Sequence, residues 1–187
     1  MKNNLSLNEL RDMIGTITPE LDNLYSDTLK MSQRVERHLM SAIRTATYYP
    51  FAQPAIKDKE YGWAKLVLLE EDNINSFIFT YEDLLICTQE DYIAAIAVQL
   101  LQVAYWLDID LPSFFIVEEE DKTTEEAMYM FIDRISLTNK RTLPERVRVG
   151  MEELIKMARM AGIDFYWHLA ARIRYELITE EVKEEDE

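Results

Sequence analysis

The chain has 187 residues, 48% hydrophobic and 29% charged, enough for one substantial core and short for two independent ones. Its 35 acids against 20 bases leave a formal charge of −15, which repels nucleic-acid phosphates and anionic membrane surfaces. A single cysteine, Cys87, rules out an internal disulfide and a cysteine-based zinc motif; in the apolar run "DLLICT" it reads as a small buried hydrophobe.

From the N-terminus, "MKNNLSLNELRDMIG" has neither the apolar run nor the small-residue cleavage site of a secretory signal, so a cytoplasmic location is expected. Only four glycines occur, and helix-start signals recur. Ser6 with Glu9, Thr88 with Asp91, Thr123 with Glu126 and Thr142 with Glu145 fit the arrangement in which a hydroxyl accepts from the third helical amide and an acid reaches back. Thr18-Pro19 is a proline-first start. Leu21, Leu24, Thr28, Met31, Val35, Leu39, Ala42, Ile43 and Ala46 follow at three- and four-residue spacing, which predicts one long amphipathic helix ending near "YYP". Pro50 to Glu60, with two prolines and several charges, reads as the longest loop. Tyr92 to Leu107 is apolar but interrupted by Gln99 and Gln102. It falls short of the ~20 apolar residues of a membrane span and predicts a central helix buried on nearly all sides.

Farther on, Met128, Met130, Met151, Met157 and Met160 suit irregular gaps in a core. "DFYWHL" sets four rings in succession, Phe165 to His168, so a helix there turns at least one outward, where it could stack on a base or anchor a protein partner. His38, amid "RVERHLM", reads as solvated, and His168 as covering a helix N-terminus. The chain ends in "EEVKEEDE", an expected solvated acidic tail over 180–187. No stretch alternates with period two. The expectation is an all-α bundle of about six to eight helices in one domain, residues 1–179.

"WLDIDLPSFF" and "MAGIDFYWHL" both join an apolar helical run to a new segment through Ile-Asp. Shifted by 55 residues, Glu70-Glu71 falls on Glu125-Glu126 and Glu90 on Glu145; one deletion later, Leu100, Ala104, Ile109 and Asp110 meet Leu154, Ala158, Ile163 and Asp164. That marks a candidate duplication of a helix pair, 61–115 and 120–175. Each Asp suits an N-cap for the next helix, with the preceding Ile as its hydrophobic staple, as for Ile109 and Phe114. Packing and capping alone account for the pattern; inward carboxylates from facing helices can also bind hard divalent cations that hold a triphosphate.

"HLMSAIRTATYYP", then "YGWAKLVLLEEDNIN", then a helix ending "LDIDLPSFF" resembles the order of elements in the MazG-like all-α nucleoside triphosphate pyrophosphohydrolases, relatives of the dimeric dUTPases. "AGIDFYWHLAARIRYEL" resembles that family's closing Gly-Ile-Asp helix. The resemblance spans roughly residues 38 to 177 in patches. It implies magnesium held by Glu70, Glu71, Glu90 and Asp91, nucleotide contacts from Arg44, Arg172 and Tyr175, and a homo-oligomer. Lys65 and Arg174 are further phosphate candidates, also readable as surface charges.

The sequence departs from the family pattern. The third acid of its first motif falls on Ile74; with Asp108 on the family glycine, the second motif falls on Tyr92 and Ala95; in the later copy Arg148 follows Glu145 and Glu176 stands for an asparagine. Two readings follow. One is a magnesium-dependent hydrolase releasing pyrophosphate and a nucleoside monophosphate, impaired or built on different acids. The other is a non-catalytic all-α interaction or assembly protein, whose acidic surface sets solubility or partner choice and whose partners are proteins.

Overall fold

The computed structural model describes residues 5–20, 24, 29–55, 74–112, 123–136 and 140–185, with side chains as far as 181. Among these are seven α-helices and no strand: α1 (Leu7–Gly15), α2 (Met31–Ala46), α3 (Ile74–Leu84), α4 (Gln89–Trp106), α5 (Thr124–Ile135), α6 (Leu143–Met160) and α7 (Phe165–Glu185). The protein is an all-α helical bundle. The hydroxyls of Ser6, Thr88, Thr123 and Thr142 all cap helices as their sequence contexts predict, three of them in reciprocated capping boxes.

Helix α4 is the axis of the core. Ile93, Ile96, Ala97, Leu100, Leu101 and Ala104 are buried, and the helix packs against α1, α2, α6 and α7. Its neighbours each offer an apolar stripe: Leu7, Leu10 and Ile14 from α1; Val35, Leu39, Ala42 and Ala46 from α2. Each large aliphatic side chain so buried contributes about 1.5–3 kcal/mol. Where α6 crosses α5 and α4, Gly150 leaves no room for a side chain: a Cβ there would lie 2.6 Å from Ile135 Cγ2. A smaller cluster of Phe77, Tyr81, Leu85, Ala171 and Ile178 fastens α3 to α7. Among the described residues, no single helix is long and apolar enough to cross a membrane.

The two Ile-Asp junctions share one backbone device. After α4, Ile109 N–H bonds Ala104 C=O at 2.8 Å and Asp108 N–H bonds Tyr105 C=O at 3.2 Å; after α6, Ile163 N–H bonds Ala158 C=O at 2.7 Å and Gly162 N–H bonds Arg159 C=O at 3.1 Å. Both are Schellman caps, in which one left-handed residue lets the chain turn off the helix while satisfying its last carbonyls. Asp108 (φ 48°) and Gly162 (φ 67°) fill that position. Counting back, Thr88 and Thr142 are the N-caps of two 18-residue helices, and a constant offset of 54 relates the segments from N-cap to Ile-Asp. The frame of 55 and its deletion are therefore corrected: Asp91, not Glu90, corresponds to Glu145. Asp164 accepts from Trp167 N–H at 3.3 Å as the cap of α7. Phe114, and with it the other staple, lies outside the described residues, while Leu111 is clasped from both sides by Asn8 and Arg148 holds Asp110 C=O.

Other expectations change. The long helix from Pro19 is interrupted: Lys30 is extended (ψ 151°) and α2 begins at Met31, with the Gln33 side chain accepting from Lys30 N–H. Of the expected stripe upstream of Val35, the described positions Leu24 and Met31 are 43% and 55% exposed, so neither is anchored in the core to hold a helix through the break. Trp106 instead donates to Pro19 C=O at 3.1 Å. Pro50 lies in a short 3-10 turn, Tyr49–Phe51, and only part of the expected loop, through Ala55, is described. Helix α7 continues to Glu185, so the acidic end is helical over 180–185.

His38 is buried rather than solvated, its Nε2 3.0 Å from Gln102 Oε1 and its ring edge-on to Trp106. Burial, only partly offset by the Gln102 hydrogen bond, lowers its pKa. His168 is buried in the first turn of α7, edge-on to Trp167. Cys87 is exposed rather than buried: it is a left-handed residue (φ 63°) in the tight turn where α3 meets α4 at 113°, and Leu85 takes the inward position.

Candidate functional site

Asp91 sits at the third position of α4, where Glu145 sits in α6. Thr88 Oγ accepts from Asp91 N–H, yet the Asp91 carboxylate does not return to the cap. It turns inward, 5% exposed, and accepts from Tyr81 OH at 2.6 Å, Cys87 N–H at 3.0 Å and Arg172 Nη1 at 2.9 Å. Arg172, from α7, also donates through Nε to Glu176 at 2.8 Å, one turn along its own helix. Tyr175 stacks on Tyr81 with ring centroids 4.5 Å apart, and its hydroxyl donates to Glu82 at 2.9 Å. One cluster thus joins α3, α4 and α7.

Its electrostatics favour a fixed arrangement. Burial alone would lower the Arg172 pKa, but Asp91 and Glu176 outweigh it and push the guanidinium above its ordinary value. Tyr81 is pushed well up, first by burial and then by the Asp91 charge, so its hydroxyl stays a donor. A carboxylate with a charge-assisted arginine bond, a phenol and a backbone amide has most of its lone pairs engaged.

Three residues selected from sequence, Asp91, Arg172 and Tyr175, are therefore brought together. The others are not. Glu90 is buried beside Asp91 in sequence but accepts from Ala55 N–H at 2.8 Å. Arg44 lies exposed on the last turn of α2, and Arg174 lies over the Phe77 ring at 4.4 Å. Glu126 and Glu145 close the capping boxes of their own helices through Oε2. Glu70, Glu71 and Lys65 lie outside the described residues. Tyr81 and Glu82 are not among the residues expected from sequence: they lie one helix back, and the packing of α3 on α7 brings Tyr81 to Asp91 and Glu82 to Tyr175. Glu176 was noticed only as a departure; its spacing from Arg172 signals an ion pair.

Among the described residues, no group of three or more histidine, cysteine, aspartate or glutamate side chains is placed to hold a metal ion. Magnesium keeps several of its waters and is held by one or two carboxylates; at Asp91, Tyr81 and Arg172 both occupy Oδ1, while Oδ2 accepts from the Cys87 amide. Glu90 and Asp91 bond different partners, and Glu70 and Glu71, the other two residues of the expected magnesium set, lie outside the described residues. Chemically, the cluster ties three helices by matched charge. No family model, curated protein or solved structure matches the chain.

Proposed function

We propose that this chain is a non-catalytic all-α interaction or assembly protein, acting through protein contacts. The observation that carries the reading is the engagement of Asp91: the carboxylate best placed for metal chemistry is tied to Arg172, Tyr81 and the Cys87 amide. Glu90 accepts from the Ala55 amide, and Glu126 and Glu145 each turn one oxygen back to a helix cap. Large side chains remain at the surface, including Phe51 at 82%, Phe79 at 70% and Tyr129 at 69% exposed. Such rings are the usual anchors of protein interfaces.

A magnesium-dependent, MazG-like nucleotide pyrophosphohydrolase is the second reading. It is favoured by the meeting of Asp91, Arg172 and Tyr175, chosen from that resemblance and 81 residues apart for the ion pair. For it to hold, Asp91 must exchange Arg172 for a metal while Arg172 takes a phosphate. Incubation with a nucleoside triphosphate panel and magnesium, followed by pyrophosphate measurement and thermal melting, separates the two. The assembly reading expects no turnover and no magnesium-dependent shift in Tm. Pyrophosphate release that is lost in Asp91→Asn overturns it.

A further inference from the structure

We propose that the outer face of α3, with the turn that follows it, docks a basic amphipathic segment of a partner protein. The inference rests on the assembly reading and names the chemistry of the partner. Phe77 and Tyr81 are buried against α7, which fixes the rotation of α3 and leaves Asn75, Phe79, Glu82, Asp83 and Ile86 facing solvent at the spacing of one helical stripe. Phe79 is 70% and Ile86 40% exposed, with two acids between them.

The charge that α3 and α4 carry is one-sided. Between Lys65 and Lys122 the sequence has thirteen acids and no base, so every charge that α3 and α4 themselves carry is negative. Two bases reach toward them from α7: Arg172, committed to Asp91 and Glu176, and Arg174, over the ring of Phe77 on the face of α3 turned to α7. Exposed rings also lie at the start of α4. Gln89 binds Ala52 C=O and Gln53 C=O through its side chain and backbone, both at 3.0 Å, which holds the turn bearing the exposed Phe51 against the start of α4. Tyr48, half-exposed, stacks there on Tyr92.

Apolar groups flanking acids suit lysine or arginine side chains, whose stems cover Phe79 and Ile86 while their charges meet Glu82 and Asp83; an arginine can also lie over the Phe79 ring. Nucleic acid and anionic lipid are repelled by such a face, and so is the same face of a second copy. A basic amphipathic helix or strand satisfies both halves of the surface.

The test measures fluorescence anisotropy of a labelled leucine–lysine amphipathic peptide, with a leucine–glutamate peptide as control, on the full chain. Binding to the lysine peptide alone is expected, weakening with salt and falling about tenfold or more in Phe79→Ser/Ile86→Ser. Glu82→Gln/Asp83→Asn should weaken it too, with circular dichroism unchanged in both variants. Equal binding by the folded Phe79→Ser/Ile86→Ser variant, or no preference between peptides, overturns the proposal. Sedimentation on the same samples gives the third outcome: self-association abolished by Phe79→Ser without peptide binding makes the face a contact between copies and also overturns it. Either failure is distinguishable from failure of the assembly reading, which is tested by pyrophosphate release and by the magnesium dependence of Tm.

Discussion

Replacing Asp91 by alanine should destabilise the fold far more than the loss of an ordinary surface carboxylate. Asp91 is 5% exposed, and its removal leaves the Tyr81 hydroxyl, itself 1% exposed, and the Cys87 amide without their acceptor. It also strips Arg172 of the neighbour that offsets its burial, leaving only Glu176. Breaking a buried ion pair from one side costs about 3–5 kcal/mol, which for a chain of this size is a fall in Tm of about 6–20 °C. Arg172→Leu should cost less, about 1–3 kcal/mol, because Asp91 keeps two donors. The double variant should fall short of the sum by about 1–3 kcal/mol. Urea unfolding followed by far-UV circular dichroism gives all three values. A loss below ~1 kcal/mol for Asp91→Ala, the range of a solvated pair, would refute the view that this cluster ties α3, α4 and α7.

The left-handed position after α4 is held by Asp108, whose side chain is 99% exposed and meets Arg11 at 3.9 Å. Asp108→Gly should therefore stabilise the chain by about 0.5–1 kcal/mol, and Gly162→Ala, at the matching site with nothing near the added Cβ, should cost about 1 kcal/mol; thermal melts check both. Gly150→Ala should destabilise by about 1–3 kcal/mol through overpacking against Ile135 and Leu100, measured by urea midpoint. For His38, the folded pKa is lowered from 6.5, so the unfolded chain binds its proton more readily. Stability is then full above pH 6.5 and declines as pH falls from that value through the folded pKa. His38→Gln should remove this part of the pH slope, and an unchanged slope would show that other groups set it.

Local signals in the sequence carried far. A hydroxyl followed three residues later by an acid located the starts of α1, α4, α5 and α6, because a cap depends on neighbours in the chain and little else. The apolar run at Tyr92 located the central helix for the same reason: a helix apolar on all sides has only the interior to occupy. What failed depended on distant contacts. His38 looked solvated among charged neighbours, yet α2 turns it onto Gln102 and Trp106. Cys87 looked buried in an apolar run, yet the turn between α3 and α4 points it outward. Periodicity extended α2 upstream because spacing alone does not reveal whether an apolar face meets a partner. At the site, resemblance picked out Asp91, Arg172 and Tyr175, but their pairing was not legible: Tyr81 and Glu82 reach them only through the tertiary approach of α3 to α7.

The two equivalent carboxylates show why pairing matters for function. In α6, Glu145 reaches back to Thr142, remains at the surface, and is held below the ordinary carboxylate range first by the Thr142 backbone amide and then by its hydroxyl. In α4 the same position carries aspartate, one methylene shorter, which bonds the amide of Cys87 instead of the cap residue and lies within reach of Arg172. The helix-start acid of α4 thus ties helices together, while that of α6 keeps its local role. At Asp91 three donors take lone pairs that a metal would otherwise use, while Glu145 gives its cap one oxygen, Oε2. Carboxylates near helix starts in an acidic bundle are therefore poor evidence for magnesium until their existing donors are counted, and at Asp91 those donors come from three separate places in the chain.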